Sequence, residues 1–313
     1  MKLRIATRKS ALALWQAGHV AERLRTLAGV SEVELVPMTT RGDEIQDRSL
    51  QAVGGKGLFI KELEVALEEG RADVAVHSMK DVPGELPAGF AIAAVLGRAN
   101  PADALIGRRG MRLEALDDGA VVGSSSLRRA AQLKRLRPGL KVLPLRGNVN
   151  TRLQKLEAGE FDAIVLAVAG LERLGLAGHI SQVFTCEEML PAAAQGVLGI
   201  ECRAGDARIL DVVAALNDPA TAVTTAAERA VARRFNASCL SPVAAHARTS
   251  GDELTITALV ATPDGRRCLR DSLCGKVERA EAIGRALAER MLGHGAREIL
   301  DEAERAVSGS RRA

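Results

Sequence analysis

The chain's 313 residues and 33.0 kDa exceed one typical domain and suit two or three. Apolar residues at 47% exclude wholesale disorder, and the longest apolar run, about nine residues from Ala163 to Leu171, falls far short of a membrane helix. The net charge of +4 hides an asymmetry: residues 98–155 carry ten Arg and three Lys against four acids, hence +9, and that field implies an anionic ligand.

In chain order, Leu3–Ala6 reads as a strand, followed by a helix from Ser10 to Leu27 with Ser10 as its N-cap. Glu34–Pro37 is a strand, and Gly57–Glu69 is a helix with an apolar stripe through Leu58, Phe59, Leu63 and Leu67. Strands are expected at Asp73–His77, Ala91–Leu96, Ala104–Ile106, Ala120–Gly123, Lys141–Leu145 and Ala163–Ala169, with helices at Leu127–Leu136 and Asn150–Ala158. Alternation of this kind predicts parallel α/β layers covered on both faces. The last hundred residues differ. A helix over Ala220–Arg234 precedes a hairpin of Leu254–Val260 and Arg267–Leu273 around Pro263-Asp264-Gly265, then helices at Val277–Leu292 and Ala296–Ala306. That pattern is a small α+β domain with an antiparallel sheet.

Four junctions place cations or hydroxyls after a strand or at a helix start: Thr7–Ser10, Gly54–Gly57, Gly123–Arg129 and Arg146–Arg152. Ligands of open α/β sheets sit beyond the strand carboxyl ends, where helix N-termini offer free N–H groups. A single Ser or Asn there is an ordinary cap; four junctions with Arg or Lys attached indicate a multiply charged anion. A P-loop is excluded, because Lys56 is followed by Gly57 and position 50 is Leu. Forked guanidiniums fit carboxylates, so a polycarboxylate is expected. His77-Ser78-Met79-Lys80-Asp81 closes a strand before Val82-Pro83, which puts Ser78, Lys80 and Asp81 on a loop at the sheet edge. An ionised Asp81 there could stabilise a developing cation or move a proton. His77 reads as a structural strand-end histidine.

Five cysteines without a Cys-x-x-Cys pair disfavour a disulfide framework and a zinc ribbon, and no metal cluster is offered. Cys202 lies in an apolar stretch and reads as buried and inert. Cys239 follows Arg233-Arg234 in a loop, the best setting for a reactive thiolate. The scattered N-terminal charges do not read as a signal peptide, so a cytoplasmic protein is expected.

These segments together closely resemble the porphobilinogen deaminase (hydroxymethylbilane synthase) family. The resemblance is carried by residues 4–10 with 12–16, by Gly54-Gly55-Lys56-Gly57-Leu58-Phe59, by His77 to Pro83 and by Gly123 to Arg129. Leu145–Asn148 with Thr151–Leu153, Leu166–Leu171, Gln195-Gly196 and Gly199–Arg203 complete it. The resemblance implies two doubly wound, periplasmic-binding-protein-like α/β domains, residues 1–97 with 197–217 and residues 98–196. A third, α+β domain over 218–313 would carry the cofactor cysteine, and the chain would cross between the first two near Leu96–Asn100 and Gln195–Gly199.

The implied reaction condenses four porphobilinogens head to tail, with loss of ammonia, into linear hydroxymethylbilane on a dipyrromethane cofactor held by a thioether to Cys239. Each loss of ammonia leaves an electron-poor azafulvene, whose charge Asp81 would stabilise. By matched position Asp81 is the catalytic carboxylate. Ser78, Lys80, Ser126, Arg128, Arg129, Arg146 and Asn148 are cofactor contacts. Arg8, Ser10, Gln16, Lys56, Arg152, Arg173 and Gln195 bind substrate carboxylates or the growing chain. The family expectation is a monomer that passes its product to a tetrapyrrole-cyclising enzyme. Two departures stand out: Ala52 where many relatives carry Lys, and Ala237-Ser238 where a Gly-Gly pair is common.

Two rival classes are an anion-binding module of the periplasmic-receptor type, which would need neither Cys239 nor Asp81, and a nucleic-acid binder using the basic segment. Aromatics at 2% and the lack of a recognisable motif argue against the second.

Overall fold

The computed structural model describes residues 1–40, 60–238 and 241–309. Lys56, its glycine-rich junction, Ala52 and Cys239 lie outside the described residues. The first stretch holds β1 (Lys2–Arg8), α1 (Ala11–Arg25), β2 (Glu32–Met38), α2 (Lys61–Glu68), β3 (Val74–Ser78) and β4 (Phe90–Val95). Next come β5 (Asp103–Gly107), β6 (Val121–Gly123), α3 (Leu127–Leu136), β7 (Lys141–Leu143), α4 (Val149–Glu157), β8 (Ala163–Ala167), α5 (Val168–Arg173) and β9 (Gln182–Val183). The chain continues through β10 (Leu198–Arg203), α6 (Ala207–Ala214), α7 (Pro219–Arg234), β11 (Val243–Ser250), β12 (Glu253–Ala261) and β13 (Cys268–Lys276). It closes with α8 (Ala280–Gly293) and α9 (Ala296–Gly309).

Two compact units result: Met1–Ala99 with Gly196–Ala222, and Asn100–Gln195 with Val223–Ala313. In the first, the sheet order is β2-β1-β3-β10-β4. The period-two pattern of β1 sends Leu3 and Ile5 into a core with Ala17, Val20, Ala21 and Leu24 of α1. Ala6 faces the opposite way, against Leu63, Ala66 and Leu67 of α2, so both faces are covered. In the second unit the order is β7-β6-β8-β5-β9. One face buries Ile106, Ile164 and Leu166 with Leu153 and Leu156 of α4. The other buries Leu105, Val122 and Val165 with Leu133 of α3.

The two sheets follow one plan, and it corrects the expectation of purely parallel layers. β1 runs parallel to β2 and β3, but β10 is antiparallel to both β3 and β4. Likewise β6 is parallel to β7 and β8, and β5 is antiparallel to β8 and β9. The reversed strand in each sheet is the one that follows a passage of the chain between units. A strand entering from the end where the parallel strands finish must run against them. The expected strand over Ala163–Ala169 also stops early: after Ala167 the chain turns helical as α5, whose Val168, Ala169 and Leu171 are buried too. The apolar run therefore hid the change of period. β10, α6 and β11 had no expected counterpart.

The C-terminal sheet is antiparallel, β11-β12-β13. Ala245, Ala247, Ile256 and Ala258 pack against Ile283, Leu287 and Met291 of α8, Leu300 of α9 and Val231 of α7. Ala244, Leu259 and Ala261 pack with Ala131 of α3.

Candidate active site

In the first unit, β1 delivers Arg8 at its end, and Ser10 caps α1 by accepting from the Ala13 N–H at 3.3 Å. One turn on, the buried Gln16 donates from Nε2 to Ser78 Oγ at 2.9 Å, joining α1 to the last residue of β3. Beyond Ser78 the chain makes a 3-10 turn, Met79–Asp81. Met79 is 2% exposed and its N–H donates to the Val197 carbonyl at 3.0 Å, while the Val82 N–H closes the turn on the Met79 carbonyl. Gly199 of β10 lies so close that a Cβ there would overlap Met79 Sδ. The turn is thus packed from beneath, and it presents Lys80 and Asp81, both half-buried. Asp81 has no hydrogen bond or ion pair to a described residue.

His77 sits below this turn, buried, with Nε2 2.7 Å from Glu201 Oε2. Glu201 is fully buried and its Oε1 has no partner among the described residues. Glu64 of α2 lies in the same environment, its carboxyl pushed up by burial and by the Glu201 charge. Cys202, on the next position of β10, is buried, and its thiol is pushed up to about 11, first by burial and then by Asp206, which keeps it protonated.

In the second unit, β6 ends at Gly123. Ser126 then caps α3 by accepting from the Arg129 N–H, and Asn148 caps α4 by accepting from the Thr151 N–H at 3.0 Å. The first turn of α3 carries Arg128 and Arg129, only 3% and 7% exposed, and both close on Asp103 of β5, which is fully buried. Arg128 Nη1 donates to Asp103 Oδ2 at 2.7 Å and to the Leu190 carbonyl. Arg129 donates from Nε and Nη2 to Asp103 Oδ1, and from Nη1 to the Val165 carbonyl. Gln195 Nε2 reaches the same Oδ1 at 3.0 Å and the Pro101 carbonyl at 2.7 Å. Burial works to raise the Asp103 carboxyl, but the charges of Arg128 and Arg129 outweigh it and hold the group far below the usual carboxylate range.

Arg146 and Arg152 lie at the β7–α4 junction, and Arg152 Nε donates to the Gly147 carbonyl at 2.9 Å. Gly147 has φ 105°, a left-handed conformation that also keeps Thr151 close. Arg146 is half-buried, has no partner among the described residues, and burial alone pushes its guanidinium down. Arg173, at the end of α5, is pushed down by burial as well, with Glu172 opposing.

Within the first unit, then, Gln16, Ser78, Lys80 and Asp81 gather around the end of β3. Within the second, Arg128, Arg129 and Gln195 gather on Asp103 and Ser126 caps the helix that carries the two arginines, with Arg146, Asn148 and Arg152 at the neighbouring strand-to-helix junction. Sequence reasoning missed Asp103 and Glu201. The signal was there: each is an acid set in an otherwise apolar strand run, Ala102–Ile106 and Leu198–Cys202, and a buried acid requires a partner. Among the described residues no group of His, Cys, Asp and Glu could hold a metal ion, and no helix is long and apolar enough to cross a membrane.

A carboxylate without a partner among the described residues on a packed turn, and the buried Arg128 and Arg129 sharing one carboxylate, define the class as an α/β protein built to handle an anionic ligand. Comparison with known proteins names the family. Residues 3–211 match the model described as porphobilinogen deaminase, dipyromethane cofactor binding domain, and residues 222–293 match porphobilinogen deaminase, C-terminal domain. The chain is 53% identical over 299 residues to the porphobilinogen deaminase of Thiobacillus denitrificans, covering 96% of this chain and 98% of that one. It is 54% identical over 302 residues to that of Burkholderia thailandensis, covering 96% and 92%. The chain belongs to the porphobilinogen deaminase family, whose enzymes are transferases of tetrapyrrole synthesis.

Proposed function

We propose that the chain joins four porphobilinogen molecules head to tail, releasing ammonia at each step and hydroxymethylbilane at the end, on a dipyrromethane cofactor bound through a thioether to Cys239. The donor set fits such a group. A dipyrromethane bearing acetate and propionate arms is polyanionic, and Arg146 is a half-buried cation without a partner among the described residues. Arg128 and Arg129 share one carboxylate between two charges. These three, with Ser78, Lys80, Ser126 and Asn148, would hold the cofactor. Arg8, Ser10, Gln16, Lys56, Arg152, Arg173 and Gln195 would take the carboxylates of incoming substrate and growing chain. When bound, the cofactor supplies the pyrrole carbon to which the first substrate is joined.

Asp81 carries the reading, because it is a carboxylate without a partner among the described residues, on a turn packed from below by Met79. Facing the substrate pyrrole N–H, it balances the positive charge that spreads into the ring as the aminomethyl C–N bond breaks and ammonia departs. Once the new C–C bond forms, the ring carbon loses a proton, and Asp81 accepts it. Water ends the sequence by supplying the hydroxyl of the product. In this reading the chain has two α/β domains, 1–97 with 197–217 and 98–196, and a third, 218–313, whose sequence includes Cys239. The enzyme works as a cytoplasmic monomer, and its linear product passes to a cyclising enzyme.

The test is intact mass together with turnover. Purified protein is expected to be heavier than its sequence by one dipyrromethane and to consume porphobilinogen with release of ammonia, and Cys239→Ser is expected to lose both properties. A fully active protein of unmodified mass refutes the cofactor assignment.

A further inference from the structure

Asp103 lies outside the residues assigned to cofactor or substrate, yet three of those residues, Arg128, Arg129 and Gln195, close on it. Its Oδ1 accepts from Arg129 Nε, Arg129 Nη2 and Gln195 Nε2, and its Oδ2 from Arg128 Nη1. A guanidinium has five N–H donors. The bonds to Asp103, Leu190 and Val165 use some of each arginine's, and Nε and Nη2 of Arg128 have no partner among the described residues. Neither atom is sealed from solvent and unpaired at once. The cluster holds two cations and one anion, all nearly or fully buried, and an excess buried charge is costly until a second anion meets it.

We propose that Asp103 is a positioning residue: it locks Arg128 and Arg129 side by side, with one positive charge left over, for a ligand carboxylate to complete. The inference rests on the reading that these arginines hold the cofactor, and adds what aims them. Gln195 extends the same lock to the last residue of the second unit before the chain returns to the first. Its amide joins Asp103 to the carbonyl of Pro101, near the point where the chain first entered that unit. Both ends of this segment are thereby held to the arginines' anchor.

The experiment measures covalent cofactor occupancy by intact mass, beside thermal stability and KM for porphobilinogen, in Asp103→Asn and Asp103→Glu. Asp162→Asn serves as the control in the same unit, since the Asp162 carboxylate caps the Val121 N–H at 2.8 Å and touches no site residue. The Asp103 variants are expected to emerge folded but largely without cofactor, with KM for any loaded fraction raised roughly tenfold. The control is expected to lose stability while keeping its cofactor. If Asp103→Asn fails to fold, Asp103→Ala refolded in formate supplies the missing anion, and occupancy is expected to rise with formate but not with chloride. Full occupancy and normal KM in the Asp103 variants, with Arg128→Met and Arg129→Met depleted of cofactor, overturns the inference alone. Full occupancy in the arginine variants overturns the underlying reading.

Discussion

Gln16 and Ser78 are 62 residues apart in the chain and joined by one hydrogen bond, Nε2 to Oγ at 2.9 Å. Through it the first helix holds the end of β3, three residues before Asp81, the carboxylate proposed to balance the charge of the substrate ring. Gln16→Ala removes the donor and leaves the Ser78 hydroxyl to find another partner, at a cost of about 1 kcal/mol. The expected result is a small fall in melting temperature and a larger rise in KM; melting curves and initial rates read the two separately. A variant with unchanged KM contradicts a site role for this pair.

Asp81→Ala is expected to fold normally, since the side chain has no partner among the described residues to lose. Its unfolding free energy should lie within about 0.5 kcal/mol of wild type. Turnover should fall by roughly 100-fold or more, because the balancing charge and the proton acceptor vanish together. Urea melts and porphobilinogen consumption check both halves, and near-normal turnover refutes the assigned role.

Gly199→Ala drives a methyl group into Met79 and so disturbs the turn that carries Asp81. Overpacking of this kind costs about 1–3 kcal/mol, and kcat is expected to fall as well. Adding Met79→Ala relieves the clash, so the double variant should be more stable than the sum of the two single effects. Strict additivity shows that the glycine is not required by this contact.

The Asp103 carboxyl is held far below its unfolded value by Arg128 and Arg129. A depressed folded pKa contributes stability that is complete above the unfolded value, about 3.9, and is withdrawn as pH falls below it. The stability gap between wild type and Asp103→Asn is therefore expected to be widest at neutral pH and to narrow below about pH 4. Urea titrations across that range decide it, and a gap that stays constant into acid contradicts the assignment.

What the sequence made legible was local. Ser10 and Ser126 cap the helices expected after them, and α3 spans the expected Leu127–Leu136, because an N-cap and its helix are neighbours in the chain. The failures are long-range. Asp103 meets Arg128 across 25 residues and Gln195 across 92, and His77 meets Glu201 across 124. Nothing in the spacing of these residues announces such pairs. The direction of β5 and β10 was hidden for the same reason, since a strand's apolar run carries no mark of which way its neighbours point. For the candidate site, the junctions could be read from Ser, Asn and Arg at strand ends, and the acid within the apolar β5 run signalled that Asp103 needs a partner, but not that the partners are Arg128 and Arg129.

The placement of β10 between β3 and β4 has a consequence for synthesis on the ribosome. The sheet of the second unit is built from a contiguous stretch, β5 to β9, and can close as soon as Val183 has emerged. The earlier-made sheet must wait for Arg203, and until then β3 and β4 have no strand between them. Their unpaired edges are open to wrong partners during that interval. Of these two sheets the one begun first is thus completed last, and nascent-chain truncations ending before Leu198 should leave it open to protease while the second sheet resists.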